Sequence, residues 1–344
     1  MNKTLVIVTC FWMCAACVLI GQERQRFRIM EYNVENLFDT LHVAGKQDAE
    51  FTPQGSRHWT GMRYWAKLGK IARVIAAVGG ETPPDLVALV EVENDSVLSH
   101  LTRRTKLRRL GYEYICTRSL DARGINVALL YQPFRFRLIS SDTVRVLPTD
   151  KRLEMTRDVL HVTGELVTGD TLDVVICHFP SRRLGERAAK YRMEVAKRVR
   201  TFVDSVMAER QYPYLVMTGD FNSWYPEPCM KQGLRVDLPA DSVGRRNIYI
   251  LSEGMKASHG ITGTYRFQGN WNQLDNYVVS GSLLKPWKNH TLCTEKVACR
   301  IADFPFLLKM NRAHTYYTPY RTYLGFYYQG GFSDHLPLVL DLYY

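Results

Sequence analysis

Tyr214-Leu215-Val216-Met217-Thr218-Gly219-Asp220-Phe221-Asn222 reads as an apolar strand that runs straight into a glycine, a carboxylate and an amide. A continuous apolar run of this kind suits a buried strand. The same transition recurs along the chain. Phe27-Arg28-Ile29-Met30-Glu31-Tyr32 alternates as a strand and is followed by Asn33 and Glu35. Leu86-Val87-Ala88-Leu89-Val90 ends at Glu91, and Leu172–Cys177 ends at His178. Asp275, in Gln273-Leu274-Asp275-Asn276, precedes the run Tyr277–Val279. Asp334 and His335, in Phe332-Ser333-Asp334-His335, precede Leu336–Leu340. Strand ends are rigid, so they can hold several polar groups at one locus.

Val127–Tyr131 is one more such run, and two stretches read as helices. Met62 to Val78 carries Trp65, Leu68, Ile71, Ala72 and Ile75 at helical spacing and stops at Gly79-Gly80. Glu186 to Arg210 reads as one long helix. Strands that carry most of the core, with few long helices between them, suggest two packed sheets with helices outside. Periodicity alone fits a doubly wound parallel sheet equally well.

The chain has 344 residues, 46% hydrophobic and 23% charged, which is ample for a packed core and argues against disorder. It shows no internal repeat and no long linker. Met1-Asn2-Lys3 followed by the apolar run Leu5–Ile20 and Gly21 reads as a cleaved export signal, residues 1–21. The run is short for a membrane span, although an uncleaved anchor would look similar. One catalytic domain over 22–344 is expected, in a periplasmic, secreted or membrane-anchored protein. Five cysteines follow the signal, an odd number in an oxidising compartment, and Cys293 and Cys299 are near enough in sequence to form a local disulfide. The mature chain has no CxxC pair, so a zinc ribbon is not indicated. A formal charge of +11 favours anionic partners, either nucleic acid or an anionic surface. No protein partner is indicated.

Each polar residue at a strand end has an ordinary reading alone: a turn Asp, a solvated Glu, a structural His. Taken together they carry more. The set Tyr32-Asn33-Val34-Glu35, Glu91, His178, Gly219-Asp220-Phe221-Asn222, Leu274-Asp275-Asn276 and Ser333-Asp334-His335 resembles the endonuclease/exonuclease/phosphatase superfamily. The motifs stand in the family's order and span nearly all of the chain after the signal. The resemblance implies an α/β fold, a four-layer sandwich of two mixed sheets face to face with helices outside. It also implies roles. Glu91, Glu35 and Asp334 match metal ligands, and Asn33 matches the Asn that supports the site. His335 matches a base or phosphate stabiliser oriented by Asp275. Asp220 matches the residue that positions or deprotonates water, and Asn222 a phosphate contact. Arg157, in Thr156-Arg157-Asp158, matches a phosphate-contacting Arg. Hard carboxylate ligands suit Mg²⁺, with Mn²⁺ or Ca²⁺ as alternatives.

His178 bears on the branch. Apurinic-site endonucleases carry Tyr there and Asn where this chain has Ser181, whereas His is similar to the deoxyribonuclease and sphingomyelinase branches. Inositol phosphatases carry Arg after the motif Asp, where this chain has Asn276. The basic stretch Ser181-Arg182-Arg183, Arg187, Lys190, Arg192, Lys197, Arg198 and Arg200 could track a phosphate backbone or form a solvated helix face. The Tyr-rich segment between Lys285 and Gly331 could stack bases or pack a satellite core. An exported nuclease is the first expectation. A phosphatase or sphingomyelinase-like phospholipase acting on small phosphoesters or lipid headgroups shares the same core residues. A catalytically silent binding protein would lack a motif residue, and none is missing.

Overall fold

The computed structural model describes residues 24–285, 290–311 and 313–344; the expected signal segment lies outside them. Along the chain run β1 (Arg26–Leu37), α1 (Gly61–Gly79), β2 (Leu86–Val92), α2 (Asp95–Arg104), β3 (Glu113–Cys116), β4 (Asn126–Tyr131), β5 (Phe136–Val144) and β6 (Val159–Leu166). There follow β7 (Thr171–His178), α3 (Gly185–Glu209), β8 (Tyr214–Asp220), β9 (Ile248–Ile250), β10 (Tyr265–Phe267), β11 (Asn270–Asn272) and β12 (Asp275–Ser280). The last are β13 (Cys299–Ile301), β14 (Leu308–Met310), β15 (Tyr317–Pro319), β16 (Tyr323–Leu324), β17 (Tyr327–Tyr328) and β18 (Leu338–Tyr343).

Two six-stranded sheets carry the fold, in the orders β13-β18-β1-β2-β4-β3 and β5-β6-β7-β8-β12-β9. Each is mixed, with one parallel pair, β1 with β2 and β7 with β8. The apolar runs follow from burial on both faces. Val174, Ile176, Tyr214, Val216, Tyr277 and Val279 join β1, β2 and β4 in the core between the sheets. Their neighbours Val175, Cys177, Leu215, Met217 and Val278 point the other way, onto Val195, Val199 and Val203 of α3. Burying one such side chain stabilises by roughly 1.5–3 kcal/mol. Helices outside two facing sheets give the expected four-layer sandwich.

α1 starts at Thr60, whose side chain accepts from the Arg63 amide, and stops at Gly80 in a positive-φ conformation. Of its expected apolar face Leu68, Ile71, Ala72 and Ile75 are buried, and Trp65 is the exception. Trp65 is 41% exposed, beside His100, while Lys67 is buried on the stripe with Ile71, Val74 and Val78. Those positions follow i, i+4, i+7 and i+11, so Lys67 belongs to the stripe by spacing.

The segment between β12 and β18 forms two short hairpins, β14–β15 and β16–β17. Cys293 and Cys299 are both free thiols, so the local disulfide is absent. Cys293 bridges to Tyr343 and Cys299 pairs with Leu340, which places them at different points along β18.

Candidate active site

The strand register itself assembles half of the site. His178 at the end of β7 lies beside Asp220 at the end of β8, which lies beside Asp275 at the start of β12. Gly219 is required there. Its φ is +129°, and a Cβ would stand 2.0 Å from the Cys177 carbonyl oxygen. The other sheet contributes through bulges. The β1–β2 register shifts between Asn33 and Leu37, and the β2–β4 register shifts around Glu91. Glu35, Asn36 and Glu91 have positive φ, as does Asn222 beyond β8. Non-glycine residues in that region cost on the order of 1–3 kcal/mol each, a strain that collects where side chains must be re-aimed.

His335 Nδ1 donates to Asp275 Oδ2 at 2.6 Å, and that oxygen also accepts from the Thr264 hydroxyl. Asp275 Oδ1 is buried and has no hydrogen-bond partner among the described residues. Burial disfavours the His335 imidazolium, but the charge and hydrogen bond of Asp275, with Asp334 and Asp220, outweigh it and hold its pKa well above the usual value. Asp220 is pushed up to about 7 by burial and by the Asp275 charge, against the pull of His335. Its Oδ1 accepts from the Asn222 amide at 2.8 Å and its Oδ2 from Asn33 Nδ2 at 3.2 Å. Ser333 Oγ donates to the Asn33 carbonyl at 2.7 Å and accepts from the His335 amide at 3.1 Å, tying the Ser-Asp-His motif to β1. His178 is held well below its ordinary value by burial, with Arg157, Arg123 and His335 adding to the effect. Its Nε2 stands 3.7 Å from Asp220 and 3.8 Å from Glu91. The site therefore pairs a neutral imidazole with a protonated one across a carboxyl that titrates near neutrality. Groups pushed apart in this way are suited to acid–base work.

The two acidic residues expected beside Glu91 have different surroundings. Glu35 accepts the Thr322 amide at 2.6 Å on Oε2 and the Tyr323 amide at 3.0 Å on Oε1. Burial and the Asp334 charge push its carboxyl up to about 7, with Lys67 and the two amides pulling it down. Asp334 is part-exposed and takes Arg321 at 3.3 Å. Lys67 donates to the Phe332 carbonyl at 2.7 Å and to the Thr322 hydroxyl. Burial lowers its pKa to about 8, and Glu35, Asp334 and Glu91 oppose that fall, so it is protonated at neutral pH.

The expected substrate-binding residues are largely engaged within the fold. Arg157 is buried beneath the site, donating to the Phe179 carbonyl at 2.6 Å and to Asp121 at 3.3 Å. Arg182 pairs with Glu227 at 2.9 Å and covers the Trp224 ring. The Ser181 carbonyl accepts from Arg192, itself buried. Of the basic stretch, Arg200 binds Asp204 and the Leu234 and Arg235 carbonyls, while Arg187, Lys197 and Arg198 are exposed. Aromatic residues do reach the site, but from β10. The Tyr265 ring lies 4.8 Å from that of His335, and Phe267, 56% exposed, is nearly parallel to Tyr265 at 6.4 Å. On the strand's other side Arg266 covers Tyr316 at 4.0 Å and Trp271 at 5.4 Å.

Residues 28–343 match the model of the Endonuclease/Exonuclease/phosphatase family. The chain belongs to that family. Among solved structures it is similar to Danio rerio TDP2 complexed with single-strand DNA product, at 16% identity and TM-score 0.54 over 92% of this chain and 98% of that one. It is also similar to the human Nocturnin catalytic domain with bound sulfate (18%, TM-score 0.53, 93% and 98% covered). A third is an endonuclease/exonuclease/phosphatase protein from Bacteroides vulgatus (14%, TM-score 0.56, 92% and 98% covered). At these identities the likeness is one of fold. No curated protein matches the chain.

Family membership makes the protein a phosphoester hydrolase, and the family's enzymes depend on divalent metal. Asp220, Asp275 and His335 bring ligand atoms within 4.8 Å of one another. A protonated His335 bonded to Asp275 is nevertheless a poor ligand, since the imidazolium has no free lone pair. Glu91 fits better. Its bulged backbone re-aims the side chain, Oε2 accepts the Asn36 amide at 2.8 Å, and among the described residues Oε1 has Arg123 and His178 at 3.7 and 3.8 Å.

Proposed function

We propose that this protein is an exported, Mg²⁺-dependent phosphodiesterase that cleaves nucleic acid. The observation that carries the chemistry is the buried cluster in which His335 Nδ1 meets Asp275 at 2.6 Å and His178 Nε2 stands 3.7 Å from Asp220, an arrangement that raises the pKa of His335 and Asp220 and lowers that of His178. A cation bound at Glu91 would neutralise charge on the phosphoryl oxygens. Asp220, aligned by Asn33 and the Asn222 amide, accepts the proton of the attacking water. His335 has committed Nδ1 to Asp275, so Nε2 is the ring atom that can donate to a phosphoryl or leaving oxygen. His178 Nε2 supplies a further neutral contact there. Mn²⁺ and Ca²⁺ suit the same oxygen donors.

Nucleic acid is favoured by the ring ladder from His335 through Tyr265 to exposed Phe267, because any base can stack on such a surface. The chain's net charge of +11 points to polyanionic substrates as well. The leading apolar run supports export. The test is a substrate panel for the chain from Gln22: plasmid DNA, single-stranded DNA, RNA, sphingomyelin and p-nitrophenyl phosphate, with Mg²⁺ or EDTA. Cleavage of a polymer, abolished by EDTA, is expected. Turnover of the lipid or the monoester with no polymer cleavage would reject the nuclease reading.

A further inference from the structure

The end of the sandwich opposite the cleft is built from the starts of β1, β2, β3 and β7 and the end of β4. Two turns there expose apolar side chains. Phe134, between β4 and β5, is 94% exposed, and Val167, between β6 and β7, is 54% exposed. They are neighbours, because β5 pairs with β6 through Phe136 and Leu166. The turn before β3 adds charge: Arg103-Arg104-Thr105-Lys106-Leu107-Arg108-Arg109 holds five cations and no acid. Arg103 pairs with Glu113 at 2.6 Å, while Arg104, Lys106, Arg108 and Arg109 are exposed and form no ion pair among the described residues. The two features adjoin. The Pro84 carbonyl accepts the Tyr112 hydroxyl at 2.5 Å, and the next carbonyl, of Asp85, accepts the Gln132 amide at 2.9 Å. Acids of the neighbouring turns are engaged, Asp85 with Arg135 at 2.7 Å, Glu165 with Arg137 and Asp170 with His290 at 2.6 Å, which leaves Glu81 and Glu209 exposed against the four cations. β1 also starts at this end. Arg135 Nη2 donates to the Arg26 carbonyl at 2.8 Å, so the Phe134 turn lies beside the point where the segment carrying Leu5–Ile20 joins the fold.

We propose that this end docks on an anionic lipid surface, with Phe134 and Val167 entering the headgroup layer and Arg104, Lys106, Arg108 and Arg109 meeting its phosphates. Exposed apolar tips beside a basic cluster suit such a surface, since apolar burial and attraction to anionic lipid add together. Nucleic acid fits less well, because Val167 offers no ring on which a base can stack. An apolar leader held in a bilayer would set the same end against the lipid. The cleft then faces away from the membrane, open to substrate in the surrounding fluid. The docking holds whichever phosphoester the cleft cleaves.

The test is sedimentation of the chain from Gln22, which holds both sheets entire, with vesicles of phosphatidylcholine alone or mixed equally with phosphatidylglycerol. Wild type should bind the mixed vesicles, and the neutral ones roughly tenfold or more weakly. Arg108→Gln combined with Arg109→Gln should weaken binding to the mixed vesicles by roughly tenfold or more. Phe134→Ser should weaken it by roughly tenfold. Both variants should keep the wild-type melting temperature and rate on bis-p-nitrophenyl phosphate, because neither change reaches the cleft. Phe267→Ala, at the cleft end, should bind vesicles as wild type does. Wild type that ignores the mixed vesicles, or variants that bind them as well as wild type, would overturn the proposal. So would vesicle binding lost in Phe267→Ala and kept in Phe134→Ser, which would move the lipid contact to the cleft. Single-stranded DNA affinity lost in the double variant, with no vesicle binding by wild type, would assign the basic cluster to nucleic acid instead.

Discussion

The two sides of the cleft use the same residue types to opposite ends. Around Asp220, Asp275 and His335 the hydrogen bonding is incomplete: Asp275 Oδ1 has no partner among the described residues, and neither does His178 Nδ1. Around Glu35 and Lys67 each polar side-chain atom has a partner, each Glu35 oxygen an amide and the ammonium two oxygens. A buried polar group without a partner costs about 1–3 kcal/mol. The first side bears that cost and keeps groups able to exchange protons. The second is fixed and holds charge in place. Reactive and static electrostatics thus lie next to each other, and what separates them is whether a buried polar atom is left without a partner among the described residues.

The comparison breaks most visibly on the reactive side. Asp220→Asn should lower kcat by roughly 10³-fold, the size expected when a general base is lost, with a melting temperature unchanged or raised. A loss under tenfold in steady-state assays on single-stranded DNA would deny Asp220 that role. His335→Gln should cost on the order of 10²-fold, since donation to phosphate goes with it while Asp220 remains. A smaller effect is expected at the ladder. Stacking a base contributes about 1–3 kcal/mol, so Phe267→Ala should raise KM for single-stranded DNA by roughly tenfold. Hydrolysis of bis-p-nitrophenyl phosphate, too small to reach Phe267, should be unaltered, and an equal loss on both substrates would make Phe267 a structural residue.

The smallest effect is on stability. Asp220 and Glu35 both titrate near 7 in the folded chain, above the ordinary carboxyl range. The folded state therefore binds more protons than the unfolded state between about pH 4 and 7, and stability falls as pH rises through that window. Urea unfolding of the metal-free protein at pH 5 and 7 should show the fall, and Asp220→Asn should reduce it. A fall of the same size in the mutant would place its origin elsewhere.

The strands were legible because both faces are buried, so their apolar runs are continuous, and the catalytic residues stand where those runs stop. Asp220, Asp275, His178 and His335 could all be found in this way. The roles of Glu35, Arg157 and Arg182 could not, because their partners are amides, a carbonyl and Glu227 brought in from distant segments. Lys67 left a readable signal, a lysine at i, i+4 and i+7 with Ile71 and Val74, which the bulkier Trp65 obscured. Tyr265 left none, since it becomes relevant only when β10 bridges to His335. β5 was also hidden: its inner positions are mostly exposed, so no apolar pattern marks it.

The most direct test of the hydrolytic centre is the pH dependence of kcat/KM for single-stranded DNA with Mg²⁺, in wild type and in Asp275→Asn. Asp275 raises both Asp220 and His335. Wild type should therefore give a bell whose acid limb reports the ionisation of Asp220 and whose alkaline limb reports loss of the His335 proton. In Asp275→Asn both limbs should move to lower pH. A profile that keeps its shape and position in the mutant would contradict the account.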